Sequence, residues 1–297
     1  MRCIVCAALI ALLSSCFKEV DIDIPYQEPK LVVGSYFTHN EKIEAILTST
    51  VPAYDTLYNL KDIANASVEF DGEIYPLRHV HDSLYQSDIK GQYGVNYKII
   101  ASVKGYETVF AEDFIPRPVD FSIDKYVPNA NVDYEGENIS SITITLKDVP
   151  KEPTFFELRM KSTHSYFSND KDHVSTYYTD LSSQDIVVRN EGVVNLSVNK
   201  VGLLFSNELI RDENYTLTYY FYNWVDDDYN NVDHVSVELR SVSEDYFQFK
   251  KRLYLNLDNQ VGDLWDGTGN PIEAYTNIKN GCGIFAGYSQ VSHSKKL

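Results

Sequence analysis

Asp226, Asp228, Asn230 and Asp233 set side-chain oxygens two and three residues apart in an acidic run. A calcium loop begins this way, because a hard cation is held by several oxygens at once. The loop is incomplete: counted from Asp226, the twelfth position is Val237, where a bidentate glutamate belongs, and Asn231 stands in place of the turn glycine. A solvated acidic hairpin between two strands is the competing reading. His79 and His81 share one face of a strand if the strand continues through them, and two imidazoles can begin a zinc site. No third ligand is placed by the sequence, so two solvated surface histidines are expected. Covalent catalysis finds no Gly-x-Ser-x-Gly elbow and metalloprotease chemistry no His-Glu-x-x-His. Scattered carboxylates in so acidic a chain do not mark an acid/base pair. No catalytic residue, confident metal site or cofactor is expected.

The chemistry that the sequence does point to is at Cys16. One cationic residue, Arg2, is followed by an apolar core from Cys3 to Leu13 and then by small residues. This is the pattern of an export signal, and the core is shorter than the roughly 20 apolar residues that span a bilayer. Leu13-Ser14-Ser15-Cys16 resembles the lipobox of bacterial lipoproteins, in which the cysteine becomes the first mature residue and carries acyl chains. Residues 1–15 are therefore expected to be a lipoprotein signal peptide, Cys16 the lipid attachment point and residues 16–29 a tether. Acidic residues Glu19, Asp21 and Asp23 close behind the cysteine resemble a surface-export signal.

Composition narrows the partners. The 297 residues carry a net charge of -17, and without Arg2 the remaining 25 basic residues face 43 acidic ones. Nucleic-acid binding relies on clusters of Lys and Arg. The dense one here, Lys250-Lys251-Arg252, lies in a predicted amphipathic helix where a solvated face is the better reading. Once Cys3 and Cys6 leave with the signal and Cys16 is acylated, Cys282 is the remaining thiol. No intramolecular disulfide is then possible and stability must come from the core. The 23 tyrosines fit strands, where one ring face packs and the hydroxyl stays wet.

Residues 30–115 read as short apolar runs separated by turn chemistry, without helical periodicity. Asp71-Gly72 between two alternating runs is a strong hairpin signal, and Lys104-Gly105 marks a second. Six or seven strands predict an N-terminal β-sandwich. Ile115-Pro116-Arg117-Pro118 interrupts sheet and helix alike and marks a domain boundary. Residues 119–297 predict a larger, mainly-β domain, with strands at 140–147, 155–161, 185–188, 215–223 and 232–241. Residues 243–261 predict one amphipathic helix, with Ser243 as cap and Tyr246, Phe249, Leu253 and Leu257 on its apolar face. Residues 275–278 and 281–288 read as a glycine-punctuated closing strand, with Cys282 buried as core filler; its glycines imply close backbone approach rather than a phosphate loop.

Several of these segments carry a family resemblance. Pro271, Tyr275-Thr276-Asn277-Ile278 and Gly281-Cys282-Gly283-Ile284-Phe285-Ala286-Gly287-Tyr288 resemble the C-terminal signature of the Bacteroidota lipoproteins called "domain of unknown function 4249". Lys30-Leu31-Val32-Val33-Gly34, Ala66-Ser67-Val68, Val237-Glu238-Leu239-Arg240-Ser241 and Ser243-Glu244-Asp245-Tyr246 extend the similarity along nearly the whole chain. The resemblance implies an outer-membrane lipoprotein with a transthyretin-like or carboxypeptidase-regulatory-like N-terminal sandwich, associated with a TonB-dependent transporter. Asp55-Thr56-Leu57 and Asp82-Ser83-Leu84 resemble the short O-glycosylation acceptor motif of Bacteroidota, making Thr56 and Ser83 candidate sites.

The leading expectation is a lipid-anchored, cell-surface outer-membrane protein acting as a non-enzymatic binding or accessory subunit of a TonB-dependent transporter system. An enzyme acting on surface glycans or peptides is the rival, and an adhesive surface protein the third reading.

Overall fold

Alternation of large apolar residues puts Leu31, Val33 and Phe37 on the inner face of β1 (Leu31–Thr38), and Ile43, Ala45 and Leu47 on that of β2 (Lys42–Ser49). Period-two burial of this kind needs a second layer to cover it. In the computed structural model, which describes residues 27–297 apart from 52–59, 61, 134–135, 169–170, 192–201, 223–230 and 260–271, that cover comes from the same sheet curling over itself. β3 (Asn65–Phe70), β4 (Glu73–His81), β5 (Leu84–Lys90), β6 (Asn96–Ser102) and β7 (Val109–Phe114) follow in the spatial order β1-β2-β5-β4-β3-β6-β7. The Asp71-Gly72 turn forms as expected, with φ of 53° and 76°, the primed turn whose twist matches its flanking strands. The first core gathers Leu31, Val33, Phe37, Val68, Tyr97 and Ile99.

The second half builds two layers. β8 (Phe121–Val132), β9 (Asn138–Leu146) and β13 (Tyr215–Tyr222) make a three-stranded sheet. It packs against β10 (Phe155–Ser168), β14 (Asn231–Val242) and β15 (Cys282–Lys296), with β11 (Lys171–Tyr178) and the short β12 (Leu203–Ser206) both paired to β10. Ile142, Ile144, Leu217 and Tyr219 from one layer meet Phe156, Leu158, Val237 and Leu239 from the other in the second core. The molecule is therefore mainly β, with sandwich-like packing in both halves and two helices among the described residues: α1 (Ile186–Arg189) and α2 (Glu244–Asn259).

β15 joins the halves. Its first seven residues pair in parallel with β1, from Val32 opposite Cys282 to Thr38 opposite Tyr288. Its remainder, from Tyr288 to Lys296, pairs antiparallel with β14. Ile278 and Phe285, from the C-terminal stretch, are consequently part of the first core.

Several expectations need correction. Residues 185–188 are not a strand: the Asp185 carboxylate accepts from the Val187 N–H at 3.0 Å, which starts the single-turn helix α1 and buries Val187 and Val188. Residues 275–278 lie outside the strands, because the Asn277 side chain takes the place of a ladder neighbour: it accepts from the Phe285 N–H and donates to the Phe285 carbonyl. Cys282 is half-exposed rather than buried, since it opens β15 opposite half-exposed Val32 on the outer face. The buried side of α2 is Tyr246, Phe247 and Tyr254, whereas Leu253 and Leu257 are each 37% exposed. Lys250 and Lys251 are half-buried and held by neighbours rather than freely solvated. The helix turns a polar-tipped aromatic face inward because a charged sheet face lies beneath it.

Candidate functional site

Cys16, Thr56, Asp226, Asp228 and Asn230 lie outside the described residues, and of Asp233 only its place in β14 is described. The calcium reading thus gains no geometry. β4 does run through His79 and His81, but a register shift separates them. The His79 Nε2 is 2.8 Å from the Asp82 carbonyl and its ring lies 5.1 Å from that of Tyr85; the His81 Nδ1 lies 3.3 Å from the Asp82 carboxylate. Both histidines therefore engage the turn at Asp82 instead of converging on a common point. No cluster of three or more His, Cys, Asp or Glu able to hold a metal occurs among the described residues. Ser83 follows Asp82 in that turn, beside a cavity of about 200 Å³ shared with His79 and Tyr85.

Two of the segments that carried the resemblance, residues 243–246 and 275–288, meet β7 at one joint. Ser243 caps α2 by accepting from the Tyr246 N–H at 3.2 Å, and donates from Oγ to Asp113 on β7. Asp113 Oδ2 also accepts from the Gly287 N–H of β15 at 2.9 Å. One residue into the helix, Asp245 accepts from the Tyr275 hydroxyl and from Asn277 Nδ2. β15 passes so close to its neighbours that only glycine fits: a Cβ on Gly287 would collide with the Phe114 carbonyl, and one on Gly283, at φ 104°, with that of Val33. The glycines thus serve close approach, as expected. Burial pushes the Asp113 carboxyl up to about 7 against the hydrogen bonds from Ser243, Gly287 and Phe114, with Asp245 adding repulsion.

A second constellation lies on the outer face of the second half. In β10, Phe156, Leu158 and Met160 point into the core, which forces Glu157, Arg159 and Lys161 to the opposite side. β14 does the same with Glu238 and Arg240. α2 lies over this face, with Tyr246, Lys250 and Tyr254 at four-residue spacing turned toward it. Glu157, 1% exposed, accepts from the hydroxyls of Tyr246 at 2.6 Å and Tyr254 at 2.8 Å, and pairs with Arg240 at 3.3 Å. Desolvation would raise its carboxyl. Lys250, Arg240, the Tyr246 hydroxyl and Arg159 together outweigh that and hold it below the ordinary carboxylate value. Gly202 closes the site, since a Cβ there would lie 3.0 Å from Glu157 Cγ.

Around this carboxylate the cations sit on aromatic rings. The Arg240 guanidinium lies 4.5 Å from the Tyr288 ring centre and that of Arg159 lies 3.8 Å from Tyr178. The Lys250 ammonium stands 5.3 Å from Tyr36, and 5.9 Å from both Tyr246 and Tyr254. Lys161 pairs with Glu238 at 2.6 Å, and the Tyr178 hydroxyl donates to the same carboxylate. Sequence reasoning missed this face because alternation in β10 and β14 identifies strands without showing what covers their charged side. The detectable signal was a helix with tyrosine, lysine and tyrosine four apart, which needs polar partners beneath it.

A cleft of about 510 Å³ opens between residues 149–155 and 206–213. Asn207 braces it, accepting from the Thr154 N–H and donating to the carbonyls of Pro150 and Glu152. Val149, Phe155 and Ile210 give it apolar walls, with Lys151, Arg211 and Asp212 also lining it.

No curated protein matches this chain. A family model matches residues 18–294, nearly the whole chain, including every segment of the joint between β7, α2 and β15. The chain belongs to the family described as Domain of unknown function (DUF4249).

Proposed function

We propose that this protein is a lipid-anchored accessory or binding subunit of the outer membrane, attached through Cys16, displayed at the surface and working with a TonB-dependent transporter of a Bacteroidota cell. The observation that carries the reading is the direction of the fold from its tether. β1 starts at Leu31, so the chain from Cys16 spans at most roughly 50 Å when extended. β15 runs parallel to β1 and continues past it into the second half, which therefore lies beyond the first along the direction of β1. A fold strung out along one strand from its tether suits reaching toward a partner in the same membrane, where confinement makes a modest interface sufficient.

Attachment by acyl chains also agrees with the helices: among the described residues none is long and apolar enough to cross a membrane. Against the hydrolase reading stands the use of the buried acids. Glu157 is closed in by Tyr246, Tyr254 and Arg240, and Asp113 is held by Ser243 and Gly287. Neither faces the 510 Å³ cleft. Acyl chains contribute about 0.8 kcal/mol per buried methylene, so two or three give stable attachment. Cys16→Ala is expected to shift the protein from the membrane fraction to the soluble fraction. A variant that still sediments with outer membrane in high salt overturns the anchor.

A further inference from the structure

We infer that the face formed by β10, β14 and α2 binds a small ligand bearing an oxyanion, a carboxylate or a sulfate, between Arg159 and Lys250. The inference goes beyond the accessory role and does not depend on a transporter partner.

The charge count comes first. Four cations, Arg159, Lys161, Arg240 and Lys250, share this face with two carboxylates, Glu157 and Glu238. Such a local cationic excess is out of character for a chain of net charge -17. Lys161 is matched by Glu238 and Arg240 by Glu157. Among the described residues Arg159 and Lys250 have no ion pair, and Arg159 Nε is buried without an acceptor. An unmet charged donor is costly, and folded proteins rarely leave one without a purpose.

Position makes the two cations a pair. Glu157, engaged by two tyrosine hydroxyls and Arg240, feels the positive charge of both Lys250 and Arg159. Lys250 is depressed by desolvation, which Glu157 opposes, and further by the like charges of Arg159 and Arg240. An incoming anion relieves that repulsion, whereas a further cation increases it. The planar fork of Arg159, 3.8 Å from the Tyr178 ring centre, is the geometry that grips a carboxylate or sulfate edge through two parallel donors. Lys250, ringed by Tyr36, Tyr246 and Tyr254, supplies a point charge. Tyr36 is 40% exposed, so an aromatic surface stands beside the charge for the body of the ligand, as a sugar or ring would use.

The test is calorimetric titration of the folded chain with sodium sulfate and, separately, sodium glucuronate, at ionic strength held constant with sodium chloride. Saturable binding with one site per chain is expected for at least one probe; sulfate alone assigns a tetrahedral oxyanion and glucuronate alone a sugar carboxylate. Arg159→Gln and Lys250→Met should each weaken it about tenfold or more, the loss of one charged hydrogen bond. Lys104→Gln, at the remote β6–β7 turn, should bind as the parent does. If Arg159→Gln does not fold, Arg159→Lys keeps the charge without the fork and should still bind more weakly. Absence of saturable binding by either probe, or binding unchanged in both Arg159 and Lys250 variants, overturns the site.

Discussion

Replacing Asp113 with asparagine should abolish a loss of stability that the parent suffers between about pH 4 and pH 7. Asp113 is 8% exposed, and its carboxyl is pushed from the ordinary 3.8 up to about 7, chiefly by burial. The folded state therefore holds a proton that the unfolded chain has released, so folding takes up protons in this window. Stability is full below pH 3.8, falls as pH rises toward 7 and is flat above it, because linkage fixes the slope by the difference in bound protons. A gap of about three pH units at 1.36 kcal/mol per unit caps the loss near 4 kcal/mol. The substituted amide would remain neutral throughout, while its oxygen still accepts from the Gly287 N–H and meets Ser243 Oγ. The assay is urea denaturation of parent and Asp113→Asn at about pH 4.5, 6 and 8. Other carboxylates contribute equally to both proteins and cancel in the comparison. The variant's stability relative to the parent should improve by about 2–4 kcal/mol from the lowest pH to the highest. Parallel curves across that range would refute the reasoning.

Gly287→Ala forces a Cβ into the Phe114 carbonyl and should destabilise the fold by more than about 3 kcal/mol in the same assay, since backbone has nowhere to move. Glu157→Gln removes the buried ion-pair partner of Arg240, for an expected loss of about 3–5 kcal/mol. Tyr254→Phe removes one hydrogen bond to Glu157, and a smaller loss of about 1–3 kcal/mol is expected. If Glu157→Gln proved milder than Tyr254→Phe, the ion pairing assigned to this face would be wrong.

Local chemistry was legible wherever it was self-sufficient. Asp71-Gly72 specified its own turn, and alternation in β1, β2, β9 and β14 identified strands without any partner. Helix α2 was legible from the Ser243 cap and the acids that follow it. Its orientation was not, because burial of Tyr246 and Tyr254 depends on Glu157, about ninety positions earlier. β5, β8 and β11 escaped because their alternation is diluted by polar residues, which pairing with stronger neighbours tolerates, and β12 because its four residues are buried throughout and show no period. Residues 275–278 look like a strand by composition, yet Asn277 satisfies Phe285 with its side chain and removes the need for one. The parallel pairing of β1 with β15 joins the two ends of the chain, and no local pattern encodes it.

The central claim, a membrane-anchored subunit working on a membrane-embedded partner, is tested most directly by photo-crosslinking in intact cells. Crosslinkers would be placed singly at exposed Ile46 and Ile74 in the first half and at Tyr177 and Leu253 in the second. At least one position is predicted to yield an adduct with a transporter of the outer membrane, retained after membrane solubilisation. Recovery of the protein solely as an uncrosslinked chain at all four positions would contradict the account and favour a free-standing surface binder or enzyme.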